Sequence, residues 1–197
     1  MDKENILLGA VDVYYMEYTG ELPDDETIEV PENLLGETSG GTTIEYKPSY
    51  YTAKSDSGRV TKTILTDEEA TLKSGIMTLN GKKLAVLCST ARVEESNNIR
   101  TVKIGGVKNY NGKKYVIHCV LNDPEAGKST VTIVGTNEAG FSLAYQKDKE
   151  TVVDAEFKAN PVDNEGTLIV YKEELSTDSE ADAGEDQGED QGEEVQG

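Results

Sequence analysis

The residues of this chain that could do chemistry fall in a few short runs: His118 beside Cys119, the tetrapeptide Gly127-Lys128-Ser129-Thr130, and the carboxylate groups Asp24-Asp25-Glu26 and Glu94-Glu95. His118 is the only histidine and sits in Tyr115-Val116-Ile117-His118-Cys119-Val120. Alternation along a strand places His118 with Val116 and Val120, while Cys119 faces the other way. A nucleophile and its base must lie within hydrogen-bond reach, so strand neighbours cannot form a Cys–His pair. The sequence has no Gly-x-Ser-x-Gly elbow. His118 therefore reads as a hydrogen-bonded structural residue.

Gly127-Lys128-Ser129-Thr130 imitates the end of a phosphate-binding loop. The earlier glycine such a loop requires is Asn122 here, and Val131-Thr132-Ile133-Val134 follows. That run is a strand pattern, whereas a phosphate loop opens a helix whose N-terminal N–H groups hold the anion. Neither acidic group has the spacing, glycine and bidentate Glu of a calcium loop, so both read as solvated loop charge. Cys88 and Cys119 are the only cysteines and do not cluster, which predicts buried, reduced thiols. No catalytic, cofactor-binding or metal-binding residue is assigned, and the expectation is a protein without enzymatic activity or cofactor.

The elements that would position these residues are mostly strands. Thr151–Ala159 sets Val153, Ala155, Phe157 and Ala159 on one side and Asp154, Glu156 and Lys158 on the other. This is the alternation of a half-buried strand with one charged face. Phe141–Gln146 is predicted as a strand before it, and Thr167–Lys172 as one after it. Ile6–Tyr18 is apolar on both sides, so both of its faces should be covered. Thr19–Gly41 reads as a long irregular stretch, an arm for reaching a neighbour. Thr42–Tyr51, Val60–Leu65 and Ala70–Leu79 alternate as strands around a turn at Lys54–Arg59. Asn80 is a plausible N-cap for a helix over Gly81–Ala91, with Leu84, Leu87, Cys88 and Ala91 on its apolar stripe. The Asn109-Tyr110-Asn111-Gly112 run predicts a hairpin between Arg100–Lys108 and Lys113–Leu121. Thr136–Gly140 predicts another between Thr130–Gly135 and Phe141–Gln146. About nine strands and one helix imply a mainly β chain: a β-sandwich or curled antiparallel sheets with one flanking α-helix.

Composition narrows the function. The chain has 197 residues, a formal net charge of −19, ten Tyr, two Phe and no Trp. One domain over residues 1–174 fits this size, followed by an acidic low-complexity segment, 175–197, expected to be disordered. Nine acids and no bases lie after Glu174; setting them aside leaves 29 acids against 19 bases. Such a surface repels nucleic acid and anionic membranes at long range, so neither is expected as a partner. The opening MDKENILLGA is too polar for a signal peptide, and no stretch approaches transmembrane length. The sequence predicts a protein made and kept in a cytoplasm unless it is carried out within a larger particle.

Taken in blocks, the chain resembles the major tail tube proteins of long-tailed bacteriophages and phage-tail-like particles. The blocks are LLGAVDVYYMEYTGELPDD, LLGETSGGTTIEYKPSYYTAKSDSGRV, TKTILTDEEATLKSGIMTLNGKKLAVL and GTNEAGFSLAYQKDKETVVDAEFKANPVDNEGTLIVYKEE. The last is the most characteristic, a strand ending in FKANP followed by a terminal TLIVYKEE strand. The resemblance is one of order and pattern over Ile6 to Glu174. It implies a sandwich-like fold that assembles into hexameric rings stacked as a hollow tube. DNA would pass through the lumen during ejection without specific binding. The implied partners are further copies of the chain and the tape measure, terminator and baseplate or tip proteins of a virion tail assembled in a bacterial cytoplasm. No catalytic residue comes with the family. Long loops at Thr19–Gly41 and Tyr46–Arg59 are the candidates for ring-to-ring contact, and carboxylates of at least two strands are expected to face the bore. The competing reading is a β-sandwich adhesin or a particle decoration module.

Overall fold

A computed structural model describes residues 9–175 except 79, 125, 144, 146, 149 and 150. The described chain is mainly β. Its strands are β1 (Val11–Glu17), β2 (Leu34–Gly36), β3 (Thr38–Lys54), β4 (Thr61–Ile76), β5 (Arg92–Ser96), β6 (Ile99–Lys103), β7 (Tyr115–Asp123), β8 (Gly127–Asn137), β9 (Val153–Asn160) and β10 (Val170–Glu173). Two short helices, α1 (Asp25–Ile28) and α2 (Gly81–Val86), join them. Eight strands form one antiparallel sheet in the order β2-β1-β7-β8-β9-β4-β3, with β10 also on β8, and β5 pairs β6 separately.

Strand alternation explains where the core lies. Val13 of β1, Leu72 and Ile76 of β4, Ile117 and Cys119 of β7, Ile133 of β8, and Val153, Ala155 and Phe157 of β9 meet in one buried cluster. The sheet must curl for β4 and β9 to face β1 and β7 in this way. Gly135 serves the bend: a Cβ there would run into the Lys158 carbonyl of β9. Leu87 and Cys88, just after α2, close the end of the cluster. The opposite faces of β1, β7 and β8 are also covered. Tyr14, Met16, Val116 and Val134 pack there with Ile28 of α1. Of the first strand expected over Ile6–Tyr18, residues 6–8 lie outside the described residues and the strand runs over Val11–Glu17, where its neighbours provide the two-sided covering.

Several sequence expectations are corrected. Thr19–Gly41 is not one irregular arm. It contains α1, a 3-10 turn at Pro31–Asn33, β2 and the start of β3, and Ile28 is only 1% exposed. A four-residue helix is too short to show a 3.6-residue period, so the pattern missed it. The helix after Asn80 is real but ends at Val86; Asn80 Oδ1 accepts from the Lys82 and Lys83 N–H groups, as a cap should. The Asn-Gly run does not join a hairpin. The Asn111 N–H donates to the Ser89 carbonyl and its side chain accepts from the Lys113 N–H, docking this segment beside α2. The tight hairpin lies upstream, where Asn97 and Asn98 adopt φ of 51° and 60° between β5 and β6. Two successive positive φ values are what a primed two-residue turn demands.

The run predicted as a strand at Phe141–Gln146 carries no strand at its described residues, 141–143 and 145. Asn137 turns the chain out of the ladder: its side-chain N–H group donates to the carbonyls of Gly140 and Leu87. Phe141 and Leu143 still pack on the core as loop residues. β9 pairs the Val134–Asn137 end of β8, while β10 pairs the Ser129–Thr132 end, so both share one edge of that strand.

Candidate assembly site

The two longest strands, β3 and β4, are exposed over their outer halves, although β4 enters the core from Ala70 to Ile76. β3 pairs only with β4, and β9 covers β4 only from Thr71 to Ile76. From Tyr46 to Glu69 the two strands therefore form a two-stranded arm with both outer edges unpaired. A turn at Ser55–Val60 closes its tip, with Gly58 at φ 68° and the Ser55 N–H donating to the Val60 carbonyl. Direct cross-strand partners share a face. Tyr50 opposes Leu65 on one side of the arm, and Tyr51 opposes Ile64 on the other. Tyr50, Tyr51 and Val60 are 63%, 60% and 66% exposed. Thus both faces and both edges of the arm are unsatisfied in the single chain. Pro48, which lacks an N–H, sits in β3 and weakens its edge as a template for indiscriminate pairing.

At the base of the arm the sheet turns a charged face outward. Glu45 of β3, Asp67 and Glu69 of β4, and Asp154 and Glu156 of β9 lie at alternate positions with Lys47, Lys73 and Lys158. Lys47 binds Glu45 at 2.8 Å and Lys73 lies 3.5 Å from it. Lys73 and Lys158 reach Glu156 and Glu69 at 3.7 and 3.8 Å. The hydrogen bond from Lys47 holds the Glu45 carboxyl below its ordinary range. These pairs are exposed and individually weak.

The one chemically suggestive cluster among the described residues is a structural tie. Glu29, next to α1, accepts from His118 Nε2 at 3.0 Å and from Lys128 Nζ at 2.7 Å. An ionised carboxylate only accepts, so His118 Nε2 donates to Glu29, while Nδ1 lies 2.8 Å from the Thr132 hydroxyl. Asp25 accepts from Lys172 Nζ of β10 at 2.7 Å, and that bond holds its carboxyl below the ordinary range. Asp25, Glu29 and His118 stand close enough together to ligate a metal ion. Their lone pairs, however, are already directed at two ammonium groups and a hydroxyl. The cluster clamps α1 to β7, β8 and β10, so residues 25–36 belong to the body and are not free to act as an arm.

Cys119 lies on the opposite face of β7 from His118, as alternation requires, and both thiols are buried and unpaired. Burial pushes the Cys119 thiol up to about 12, and that of Cys88 upward as well. Since the thiolate is the nucleophile, neither is activated. Gly127–Thr130 begins β8 and opens no helix. Asp24 precedes α1 and Glu94 and Glu95 lie on β5, so the acidic groups stand apart. The acidic segment falls outside the described residues beyond Leu175. No described helix is long and apolar enough to cross a membrane.

Sequence reasoning missed one feature altogether. Between Asn80 and Lys114 lie eight bases and two acids, against 36 acids and 11 bases elsewhere. A regional count of charge would have found it where the whole-chain balance hid it.

No protein-family model matches the chain, and no curated protein matches it. Among solved structures, it is similar to a chain of the virion of a native gene transfer agent particle, at 10% identity and a TM-score of 0.41, over 82% of this chain and 95% of that one. A likeness this low bears on neither fold nor function.

Proposed function

We propose that this chain is a non-enzymatic structural subunit that assembles with copies of itself, specifically as the major tube protein of a phage-type tail. Hexameric rings would stack into a hollow cylinder for DNA passage. The observation that carries the reading is the β3–β4 arm. An isolated two-stranded hairpin is marginal in water. This one adds apolar pairs on both faces, which a monomer gains nothing by exposing. Neighbouring copies supply cover for both faces and mates for both edges, and head-to-tail contacts of this kind close into rings or extend as filaments. The charged face of β3, β4 and β9 is our candidate for the bore, because its five carboxylates outnumber its three lysines and the net negative face repels phosphate and lets DNA slide. The arm, rather than residues 19–41, is our candidate for the contact between rings.

Tyr46, Tyr50 and Tyr51 also gather exposed aromatics on one element, which favours a binding or decoration module as the second reading. Negative-stain imaging of the full chain over a range of concentrations, with and without an initiating tail complex, separates the two. Tubes of constant width are expected. Isolated particles under every condition, or a cylinder whose bore is basic, would contradict the proposal.

A further inference from the structure

The basic region is a folded unit. α2 packs on the β5–β6 hairpin, where Gly81 lies against Arg100 and Val102, and the Gly105 and Asn111 N–H groups bond to Thr90 and Ser89. Its two acids are already spent within it: Glu94 pairs with Lys103 at 2.6 Å and Glu95 with Arg100 at 2.8 Å. Lys113 pairs with Glu17 of β1 at 2.6 Å. Lys82, Lys83, Arg92, Lys108 and Lys114 enter no ion pair among the described residues. All but Lys83 are exposed. Five cations without a close ion pair sit on one small unit of a chain with net charge −19. Of these, Lys82 alone lies near enough to Glu95 to act on it. This local excess of positive charge favours an anionic partner.

We propose that this partner is the acidic run of the same chain, residues 185–194, laid across α2 and the β5–β6 hairpin. That run has six carboxylates and no base, the complement of the five cations. Reach allows it. The Glu174 N–H donates to the Lys128 carbonyl at one end of β8, and Asn137 at the other end of β8 is bonded to Leu87 just past α2. Strand geometry puts those ends about 30 Å apart. About ten residues beyond Leu175 can cover that span when extended. Glu185, Asp186, Glu189, Asp190, Glu193 and Glu194 lie at or beyond that point. A tethered segment has an effective concentration on the order of millimolar, which sets it ahead of anions free in solution. This inference does not rest on the tube reading.

Zero-length carbodiimide coupling of the dilute full chain at low salt, read by mass spectrometry, tests it. Crosslinks from residues 185–194 should fall on Lys82, Lys83, Lys108 and Lys114, and should disappear at high salt because the pairing is exposed and screened. The variant K82Q/K83Q/R92Q, which keeps the Lys108 and Lys114 amines, should lose most of the tail crosslinks to those two lysines and keep its circular dichroism spectrum. In a mixture of light and heavy chains the products should be same-isotope. Mixed-isotope products, or coupling mainly to Lys54 and Lys62 of the arm, would overturn the inference. So would loss of the crosslinks to an equimolar short DNA duplex, which would make the unit a nucleic-acid surface instead.

Discussion

β7 and the outer half of the β3–β4 hairpin are both regular antiparallel structure, yet their surroundings are opposite. β7 has a strand on each side and apolar cover on each face, so Val116, Ile117, Cys119 and Val120 are 4% exposed or less. The arm has one partner strand, no strand on its outer edges, and a lower apolar density, six of 18 strand positions against six of nine in β7. Yet Tyr50, Tyr51, Ile64 and Leu65 are all exposed. Regular hydrogen bonding therefore does not distinguish them; burial does. Side chains of the first kind stabilise the monomer. Those of the second kind gain their stabilisation only when another surface arrives, at roughly 25 cal/mol per Å² of apolar area covered.

The sharpest way to break this contrast is to cut into the core. Phe157 is fully buried among β4, β8 and β9. Phe157→Ala should cost about 3–5 kcal/mol in denaturant unfolding. A change under 1 kcal/mol, on the scale of about ±0.5 kcal/mol for surface substitutions, would mean that this cluster does not hold the monomer together. The converse change is Tyr51→Ser with Ile64→Ser on the arm. Monomer stability should move by less than about 1 kcal/mol. Assembly seen by light scattering should be lost. A large loss of monomer stability would place the arm within the body.

A smaller effect concerns the clamp on α1. The Asp25 carboxyl is held low by Lys172, so its contribution is complete well above its ordinary value of 3.8 and is lost as pH falls through the lower folded value. Lys128, raised by Glu29, contributes below its ordinary value of 10.5 and is lost only as pH rises past the raised one. Lys172→Met should therefore flatten the acid limb of the stability curve without altering the alkaline limb. An unchanged acid limb would assign no pH dependence to this pair.

Much of the body was legible because alternation reports burial directly. The charged and apolar sides of β9, the two covered faces of β1, the opposed His118 and Cys119, and the Asn80 cap all follow from residue types at fixed spacing. What was lost depended on competition between local signals and distant partners. Asn109–Gly112 has hairpin chemistry, but Asn111 bonds to Ser89, and the turn formed at Asn97-Asn98 instead. Phe141 and Leu143 alternate like a strand, yet they fill the core from a loop. Glu29 had no local signal at all, since its partners His118 and Lys128 lie 89 and 99 residues away. The arm was visible as two strands and a turn; only the topology reveals that nothing flanks it.

The central claim is that other copies of the chain bury the arm. Hydrogen exchange at the backbone amides of residues 46–69, compared between dilute chain and assembled material, measures this directly. Outward-facing amides of β3 and β4 should exchange quickly in the dilute chain and slow by orders of magnitude on assembly, while β7 amides stay protected throughout. Arm amides that exchange equally fast in both samples would contradict the account.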